Sequence, residues 1–398
     1  MRNEGTMKTE DKKNLMWETE TLFSILPEIR PMGNIRIGQG IDAFKFSSAP
    51  YDDKAETWVF GAIGVPSVQM PKGGYPAVVL VHGGDGYVFG EWMLYWMNKG
   101  FVAVAIDMFG NQLDETLKKI DNPESGPKED DGSNYDGIEN PKQSWVYHSV
   151  HNVIMVHNLL RARKDVDLER IVLTGISWGG YITNIVSGVD SRFAAFAPMY
   201  GAGFVYEDGF WTNGYGTFGG EGGRQVWVEL YDPSSYLPYS TKPMLYISGV
   251  DDAFFSTVNR MKSADLVQGE VYYSQRSELP HGHCWGLAHE IPAFFYQVLY
   301  GGNAYVKLNG ATVKDGVASL QTGAQRYDEV RFVYTLSTDE DSHKWKWETI
   351  LLTVAQGEYA CKIPDGATAY LFETCQKETG EPIYQSTPVY FTNDNKRY

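Results

Sequence analysis

Short apolar runs alternate with amphipathic stretches between Tyr75 and about Tyr300, and this rhythm constrains the fold more than any other feature of the chain. A continuous β-branched run such as residues 77–81 is typical of a strand that is buried on both faces of a sheet. Runs of this type are Ala77–Val81, Val102–Ile106, Ile171–Thr174, Ala194–Ala197, Met244–Ser248 and Val271–Ser274. Helix candidates lie between them, at Phe89–Asn98, Ser144–Arg163, Trp178–Ser187, Ser256–Val267 and Ala288–Leu299. The alternation predicts an α/β fold with a mostly parallel central sheet.

The two flanks of this part have different textures. Ile41–Phe46 and Thr57–Val65 are predicted strands that could add an antiparallel edge to the sheet, and residues 1–20 are a predicted flexible tail. After Gly301, short β runs are separated by turn signals such as Asn309-Gly310, and no helical period is present. We therefore expect three parts: a tail over 1–20, an α/β domain over 21–300, and an all-β, immunoglobulin-like sandwich over 301–398.

The segment Gly175-Ile176-Ser177-Trp178-Gly179 has the pattern G-x-S-x-G, directly after one predicted strand and directly before one predicted helix. A nucleophile elbow needs this placement, because the sharp turn projects the serine hydroxyl from the end of the strand. Only small residues fit two positions before and two positions after the serine. The alternative is a glycine-rich turn that binds phosphate at a helix N-terminus, but the spacing G-x-G-x-x-G is absent. The pattern favours Ser177 as a nucleophile.

His82-Gly83-Gly84 follows the predicted strand Ala77–Val81. Attack on an acyl carbonyl develops an oxyanion, which needs donors that are already in place. The expected donors are the backbone amide after the nucleophile, that of Trp178, and one amide of this loop, for which we favour Gly84. A plain glycine turn is the alternative interpretation of the loop.

The remaining members of a Ser-acid-His set should follow in that order along the chain. After the strand Met244–Ser248 come two aspartates, and we favour Asp252, three residues beyond the turn glycine, over Asp251. A carboxylate here can orient an imidazole and stabilise its charged form. The loop after the next strand contains two histidines, His281 and His283, and either could be the base.

Metal sites were weighed for the same residues. His281, His283 and Cys284 could ligate zinc, but no matching Cys/His pair occurs elsewhere at metal spacing. His148, His151 and His157 share one predicted helix among Val and Met, where structural histidines are the better interpretation. H-E-x-x-H is absent. We expect no metal and no cofactor.

The composition of the chain limits the classes of binding partner and the cellular compartment that we expect. The chain has 34 Lys+Arg against 50 Asp+Glu, a formal charge of −16, which argues against nucleic acid and against an anionic membrane surface. No apolar leader or stretch of transmembrane length is present. Three cysteines do not make a disulfide framework. A cytoplasmic protein is the expectation.

Taken together, the HGG loop, the GISWGG elbow, the GVDD turn and the HGH loop resemble the α/β-hydrolase superfamily, and within it the branch of dienelactone hydrolases, acetyl xylan esterases and prolyl-oligopeptidase-like enzymes. The resemblance implies an α/β-hydrolase fold with Ser177 as nucleophile and Asp252 as the acid. Family patterns place the base about three residues after a proline, which favours His283 over His281. Bacterial acetyl xylan esterases usually have Gln after the serine and a His-Glu ending, whereas this chain has Trp178 and Cys284.

An aromatic loop over 201–223 follows the strand after the elbow and should overhang Ser177. Phe210, Trp211 and Tyr215 are its candidate substrate-binding residues, as a wall for a sugar; the alternative is that they anchor the loop. The stretch before Tyr75 is too short for a β-propeller of at least four blades of roughly 40 residues. We expect a serine esterase for a small-molecule or oligosaccharide ester. The alternatives are an exopeptidase or amidase of the prolyl-oligopeptidase-like type and a non-catalytic binding protein on a hydrolase scaffold.

Overall fold

A long mixed β-sheet is the frame of the molecule. The computed structural model describes residues 16–128, 140–214, 220–308, 310–323, 325–353, 358–377 and 380–392. Its strands are β1 (Ile29–Pro31), β2 (Ile41–Ser48), β3 (Thr57–Gly64), β4 (Tyr75–Val81), β5 (Val102–Ile106), β6 (Asn111–Leu113), β7 (Lys119–Asp121), β8 (Val166–Ile176), β9 (Phe196–Met199), β10 (Met244–Gly249), β11 (Val271–Arg276), β12 (Thr312–Lys314), β13 (Val317–Gln321), β14 (Glu329–Thr335), β15 (Trp347–Leu351), β16 (Glu358–Lys362), β17 (Ala369–Gln376), β18 (Ile383–Ser386) and β19 (Tyr390–Phe391).

The helices lie between the strands of the first 300 residues. They are α1 (Thr19–Ser24), α2 (Gly90–Asn98), α3 (Trp145–Arg161), α4 (Trp178–Val189), α5 (Gly220–Leu230), α6 (Thr257–Leu266) and α7 (Glu290–Tyr300). Side chains of α2 and α7 meet at Trp96 and Phe295, and those of α3 and α4 meet at Trp145 and Trp178. The alternation of strands and helices that the sequence predicts is therefore confirmed. Among the described residues, no helix combines the length and the apolar character needed to cross a bilayer.

The sheet is parallel where the sequence predicts it. Its order is β1-β2-β3-β5-β4-β8-β9-β10-β11, followed by β18-β17-β14-β15. The pairs from β5 through β4, β8, β9 and β10 to β11 are all parallel, and β4 and β5 are buried along their whole length. Antiparallel pairing of β3 with β5, and of β2 with β3, adds the predicted antiparallel edge. Because parallel strands present their carboxyl ends at one edge, the loops after β4, β8, β10 and β11 are brought together.

The predicted flexible tail over 1–20 is too long. Trp17 is fully buried, its ring stacks on Tyr147, and its indole nitrogen donates to the Tyr147 carbonyl. Burial of so large an aromatic surface fixes the chain from Met16 onward. Residues 1–15 lie outside the described residues.

The region after Gly301 is strand-rich, as predicted, and it extends the central sheet. β18 pairs antiparallel with β11 at Ser386 and Tyr273, and the Gln275 amide donates to the Ser386 hydroxyl at 2.9 Å. A second sheet, β12-β13-β16, meets β14 and β17 across an apolar cluster that includes Leu320 and Phe372. Two antiparallel layers around such a cluster form a sandwich. The division of the chain into units at residue 300 stays a prediction.

A further apolar cluster joins this region to the preceding part of the chain. Val250, after β10, and Met261, in α6, pack with Val333, Leu371 and Val389. The strand-rich region is thus attached beside the loop after β10 by both hydrogen bonds and burial.

All three cysteines are free thiols, and Cys361 and Cys375 lie in different sheets.

Candidate active site

Ser177 occupies a strained turn between β8 and α4. Its backbone has φ 57° and ψ −118°, a combination that a residue with a side chain rarely adopts. A Cβ added at Gly175 would lie 2.1 Å from the Gly179 carbonyl oxygen, and one added at Gly179 would lie 2.1 Å from the Val81 carbonyl oxygen. Steric exclusion of any larger side chain at these two positions gives the predicted elbow its physical basis.

The structure brings Ser177, His281 and Asp252 together in one chain of hydrogen bonds. His281 Nε2 lies 3.0 Å from Ser177 Oγ, and His281 Nδ1 lies 2.9 Å from Asp252 Oδ2. Because a carboxylate only accepts, Nδ1 carries the proton and leaves Nε2 as the acceptor for the serine hydroxyl. This arrangement can activate the hydroxyl for nucleophilic attack.

The preference for His283 in this contact is wrong, because His281 makes it. The His281 ring lies between Tyr200 and Phe254, with centroid distances of 4.4 and 4.6 Å, and the Tyr200 hydroxyl donates to the Pro280 carbonyl at 2.7 Å. The loop therefore directs the first of its two histidines toward Ser177. The family spacing of about three residues after the proline favours His283, and a spacing along the chain carries no information about these tertiary aromatic contacts.

Asp252, and not Asp251, lies against the histidine. Asp252 is 4% exposed, whereas Asp251 is exposed to solvent. Its Oδ1 accepts from the amides of Phe254 and Phe255, both at 2.9 Å, and its Oδ2 also accepts from Ser248 Oγ at 3.1 Å. Burial raises the pKa of Asp252, but the hydrogen bond and charge of His281 and the charge of Arg260 together lower it below its ordinary value. The carboxylate is held ionised.

Arg260 supports the same loop from α6 and was missed by the sequence reasoning. The side chain is fully buried. Its guanidinium donates to the carbonyls of Gly249 and Phe255, and to Gln275 Oε1 at 3.0 Å. These bonds tie the start and the end of the turn around Asp252 to one rigid group. No pattern in the sequence distinguishes this arginine from a surface one.

His283 binds the loop that contains the expected oxyanion donors. Its Nε2 accepts from the Gly83 amide at 3.1 Å. Burial, followed by the charges of His82 and His281, lowers the pKa of His283 to about 4, so that the ring is neutral and able to accept near pH 7. A Cβ at Gly83 would lie 2.8 Å from Ser177 Cβ, so this loop passes close to the serine. The Gly83 amide is occupied, and the amides of Gly84 and Trp178 stay the predicted oxyanion donors.

His82 fixes the other side of this loop. The ring is buried, its Nδ1 donates to the Gly83 carbonyl at 2.7 Å, and its Nε2 accepts from the Met108 amide at 3.1 Å. A Cβ at Gly86 would lie 2.6 Å from His82 Nδ1, so the loop needs glycine there to close over the ring. The loop is therefore held by two histidines, one from each side.

Residues 201–214, the described first part of the aromatic loop and called the aromatic segment from here on, are anchored beside the elbow. Trp211 is 5% exposed, its ring lies 4.6 Å from that of Trp178, and its Nε1 donates to the Phe254 carbonyl at 2.7 Å. Phe210 is half-buried and packs on Phe254 at 5.4 Å. Tyr215 lies outside the described residues. The contacts of Trp211 fit the interpretation that it anchors the loop. Phe210 is partly exposed, so its ring keeps a surface that a substrate could contact.

Three further histidines lie inside α3 and make structural contacts. His157 Nδ1 is 2.8 Å from Asp190 Oδ2, and His151 Nδ1 is 3.0 Å from Ser48 Oγ. Burial lowers the pKa of His148 to about 3 and that of His151 to about 4. Neutral, buried rings of this kind fit the packing role that the sequence analysis favours for them.

We compared the chain with models of known protein families. A model of the acetyl xylan esterases matches residues 43–205, and a model of the prolyl oligopeptidase family matches residues 133–288. Both ranges include Ser177, and the second also includes Asp252 and His281. A search among curated proteins found no match.

Two solved structures resemble this chain over three quarters of its length. The acetyl xylan esterase from Paenibacillus sp. R4 is 16% identical, with a TM-score of 0.57, over 75% of this chain and 97% of that chain. Acetyl xylan esterase 1 from Thermoanaerobacterium sp. JW/SL YS485 is 15% identical, also with a TM-score of 0.57, over 75% of this chain and 96% of that chain. At these identities the likeness concerns the fold.

Proposed function

Because the chain belongs to the α/β-hydrolase superfamily, in the branch of dienelactone hydrolases, acetyl xylan esterases and prolyl-oligopeptidase-like enzymes, we propose that it is a serine esterase acting through an acyl-enzyme. The observation that carries the proposal is the hydrogen-bonded series Ser177 Oγ, His281 Nε2, His281 Nδ1 and Asp252 Oδ2, at 3.0 and 2.9 Å. Nucleophile, base and orienting acid are in reach of one another.

In the proposed reaction Ser177 Oγ attacks the ester carbonyl carbon while His281 Nε2 takes the hydroxyl proton. The tetrahedral intermediate collapses when His281 returns this proton to the leaving alcohol, which leaves an ester on Ser177. Water then attacks, gives one proton to His281, and the acid leaves as Ser177 regains its proton. Asp252 stays ionised throughout and stabilises the transient imidazolium.

The oxyanion is assigned to the amides of Gly84 and Trp178. The Trp178 amide begins α4, so the positive end of the helix dipole adds to the hydrogen bond. A Cβ at Gly83 would lie 2.8 Å from Ser177 Cβ, but the Gly83 amide already donates to His283. Each donor typically contributes about 3 kcal/mol to transition-state stabilisation.

For the substrate we propose a small acyl group, acetyl first, on a carbohydrate alcohol. The acetyl xylan esterase model and the half-buried Phe210 near the site support this choice. Aromatic side chains with exposed faces are suited to sugar rings, because they bury apolar C–H surface at small entropic cost.

A peptidase or amidase with the same triad is the second candidate, supported by the match to the prolyl oligopeptidase family. An exopeptidase that recognises a free amine needs an acidic group to bind it, and the candidates in the sequence are Glu207, Asp208 and Glu221. Glu207 forms an ion pair with Lys262, and Asp208 lies 2.8 Å from His343 Nε2. Both carboxylates are therefore already partnered, and the Glu221 side chain lies outside the described ones. These partners favour the esterase.

The test is a rate comparison on acetylated xylan and mannan oligosaccharides, p-nitrophenyl acetate and an aminoacyl anilide. We expect turnover of the acetyl esters, labelling of Ser177 by a fluorophosphonate, and loss of both in Ser177→Ala. Ser187→Ala is the matched control, because Ser187 lies in α4, the helix that follows Ser177, and its hydroxyl donates to the Asn184 carbonyl. Preference for the anilide would establish the second candidate. Absence of labelling would indicate a binding protein on a hydrolase scaffold.

A further inference from the structure

His343 belongs to the strand-rich region, yet it reaches the loop of the triad acid. It lies in the short turn Ser342–Lys344 between β14 and β15, and its side chain is 10% exposed. Its Nδ1 lies 3.1 Å from the Asp252 carbonyl oxygen. Its Nε2 lies 2.8 and 2.9 Å from the two carboxylate oxygens of Asp208. One side chain thus contacts two segments that precede it by 91 and 135 residues.

The geometry also fixes the proton count of the ring. A carbonyl oxygen and an ionised carboxylate can only accept hydrogen bonds. Both ring nitrogens therefore have to donate, which requires the imidazolium form. Burial lowers the pKa of His343, but the hydrogen bond and charge of Asp208 and the Asp252 carbonyl together raise it above its ordinary value.

Asp208 transmits this contact to the aromatic segment. It is 5% exposed, and its Oδ1 accepts from the Phe210 amide at 3.0 Å. The Phe210 ring lies 5.7 Å from the ring of His343 and 5.4 Å from that of Phe254. The imidazolium therefore connects the acid loop, the aromatic segment and the strand-rich region at one point.

We propose that His343 is a positioning residue that holds the Asp252 loop and the Phe210 segment in register through two donated hydrogen bonds; the proposal rests on the proposed esterase function. The hydrogen bond from His343 to the Asp252 carbonyl oxygen fixes the backbone of this loop, and the Asp252 carboxylate therefore stays within hydrogen-bond distance of His281. A neutral ring can donate only one of the two bonds, so the loop is released on one side when His343 loses its proton.

Other charged groups surround this point. The cavity beside His343, of about 510 Å³, is lined by the charged residues Glu207, Asp208, Glu340, Asp341 and Lys344. Glu207 is paired with Lys262 of α6, and Lys344 lies 3.3 Å from Asp341. The Asp252 carboxylate faces His281 and not His343. The balance around the ring is acidic, which favours its charged form.

The sign of the pH effect follows. A histidine whose pKa is raised in the folded state contributes its hydrogen bonds fully at low pH and loses one as pH rises through that pKa. We expect kcat of the wild type on p-nitrophenyl acetate to fall by about tenfold as pH rises through the pKa of His343, which lies above its ordinary value. KM should stay unchanged, because this ester has no sugar ring to contact Phe210 and only the placement of the acid is altered.

The kinetic test compares His343→Gln with the wild type on p-nitrophenyl acetate between about pH 6 and pH 9. Glutamine retains one donor and cannot titrate. We expect its kcat to be about tenfold below that of the wild type at low pH, without an alkaline decline. Lys346→Gln, at an exposed lysine of the same segment, should keep the wild-type profile. Equal kcat and equal profiles for wild type and His343→Gln would overturn the proposal.

A second measurement does not depend on catalysis. Nitrogen NMR of ¹⁵N-histidine-labelled protein should show both His343 nitrogens protonated at pH 6, below the ordinary pKa of histidine. In Asp208→Asn, one nitrogen should lose its proton at a lower pH than in the wild type. With eight histidines in the chain, the His343→Gln spectrum assigns the signal, and Asp208→Asn serves if His343→Gln fails to fold. A neutral His343 at pH 6 would overturn the proposal. Absence of ester turnover in the wild type would instead overturn the proposed function.

Discussion

The elbow at 175–179 and the histidine loop at 280–284 meet at Ser177, but different forces fix their shapes. In the elbow, backbone atoms approach so closely that Gly175 and Gly179 cannot be replaced, and the conformation is local. In the histidine loop, the one atom of the described residues that a Cβ at Gly282 would meet within 4 Å is the Cys284 sulfur, at 3.3 Å, and the conformation depends on Tyr200 and Phe254 from other segments. A local constraint can be recognised in five residues, whereas a tertiary one cannot.

The largest effect should separate the two histidines of the loop. His281→Ala removes the acceptor of the Ser177 proton, and we expect kcat to fall by about 10⁴-fold or more. His283→Ala removes the acceptor for the Gly83 amide and a ring contact with Phe89 but no member of the triad, and we expect a loss of about tenfold. Steady-state rates on p-nitrophenyl acetate decide the matter. A larger loss in His283→Ala would reverse the assignment of the two rings.

The two aspartates offer the same contrast on the acid side. Asp252→Asn keeps the shape but removes the charge that orients His281 and stabilises its protonated form, so we expect kcat to fall by about 10³- to 10⁴-fold. Asp251→Asn alters an exposed side chain and should change kcat by less than about twofold. Comparable losses in both variants would show that the loop, and not one carboxylate, is responsible.

The elbow can be tested by its stability rather than its activity. The Cβ of Gly179→Ala would lie 2.1 Å from the Val81 carbonyl, and we expect the free energy of unfolding to fall by about 3 kcal/mol or more. In Gly286→Ala, just after the histidine loop, the Cβ would meet no atom of the described part of the chain within 4 Å, and we expect a change within about 0.5 kcal/mol. Urea denaturation measures both. If Gly179→Ala is tolerated, the elbow is less constrained than its geometry indicates.

The smallest effect concerns the neutral ring of His283. Its pKa is about 4 in the folded protein against 6.5 ordinarily, so the unfolded chain binds the proton first. The contribution to stability is complete above about pH 6.5 and is lost as pH falls toward 4. His283→Gln keeps an acceptor for the Gly83 amide but cannot titrate, so its stability should decline less between pH 6.5 and 4. Urea midpoints at pH 7 and 5 measure the difference, and parallel declines would count against a neutral His283.

The difference between local and tertiary constraints also explains which parts of the fold and of the site the sequence predicts. β5 has the predicted bounds and α2 begins one residue after its predicted start, because periodicity and glycine placement are local signals. The position of Ser177 in the elbow follows from the same kind of signal. The choice of His281 over His283 depends on which ring faces Asp252. Arg260 and His343 bind backbone oxygens through tertiary contacts, and neither has a recognisable spacing.

The pairing of β11 with β18 has a consequence for any shortened form of the chain. Without residues 301–398, β11 would become an unprotected edge strand of sequence Val-Tyr-Tyr-Ser-Gln-Arg, presenting free amide and carbonyl groups to other molecules. The apolar side chains of Val250 and Met261 would be uncovered beside it. Such an edge is a template for aggregation, so the strand-rich region protects the sheet from self-association in addition to any part it has in catalysis.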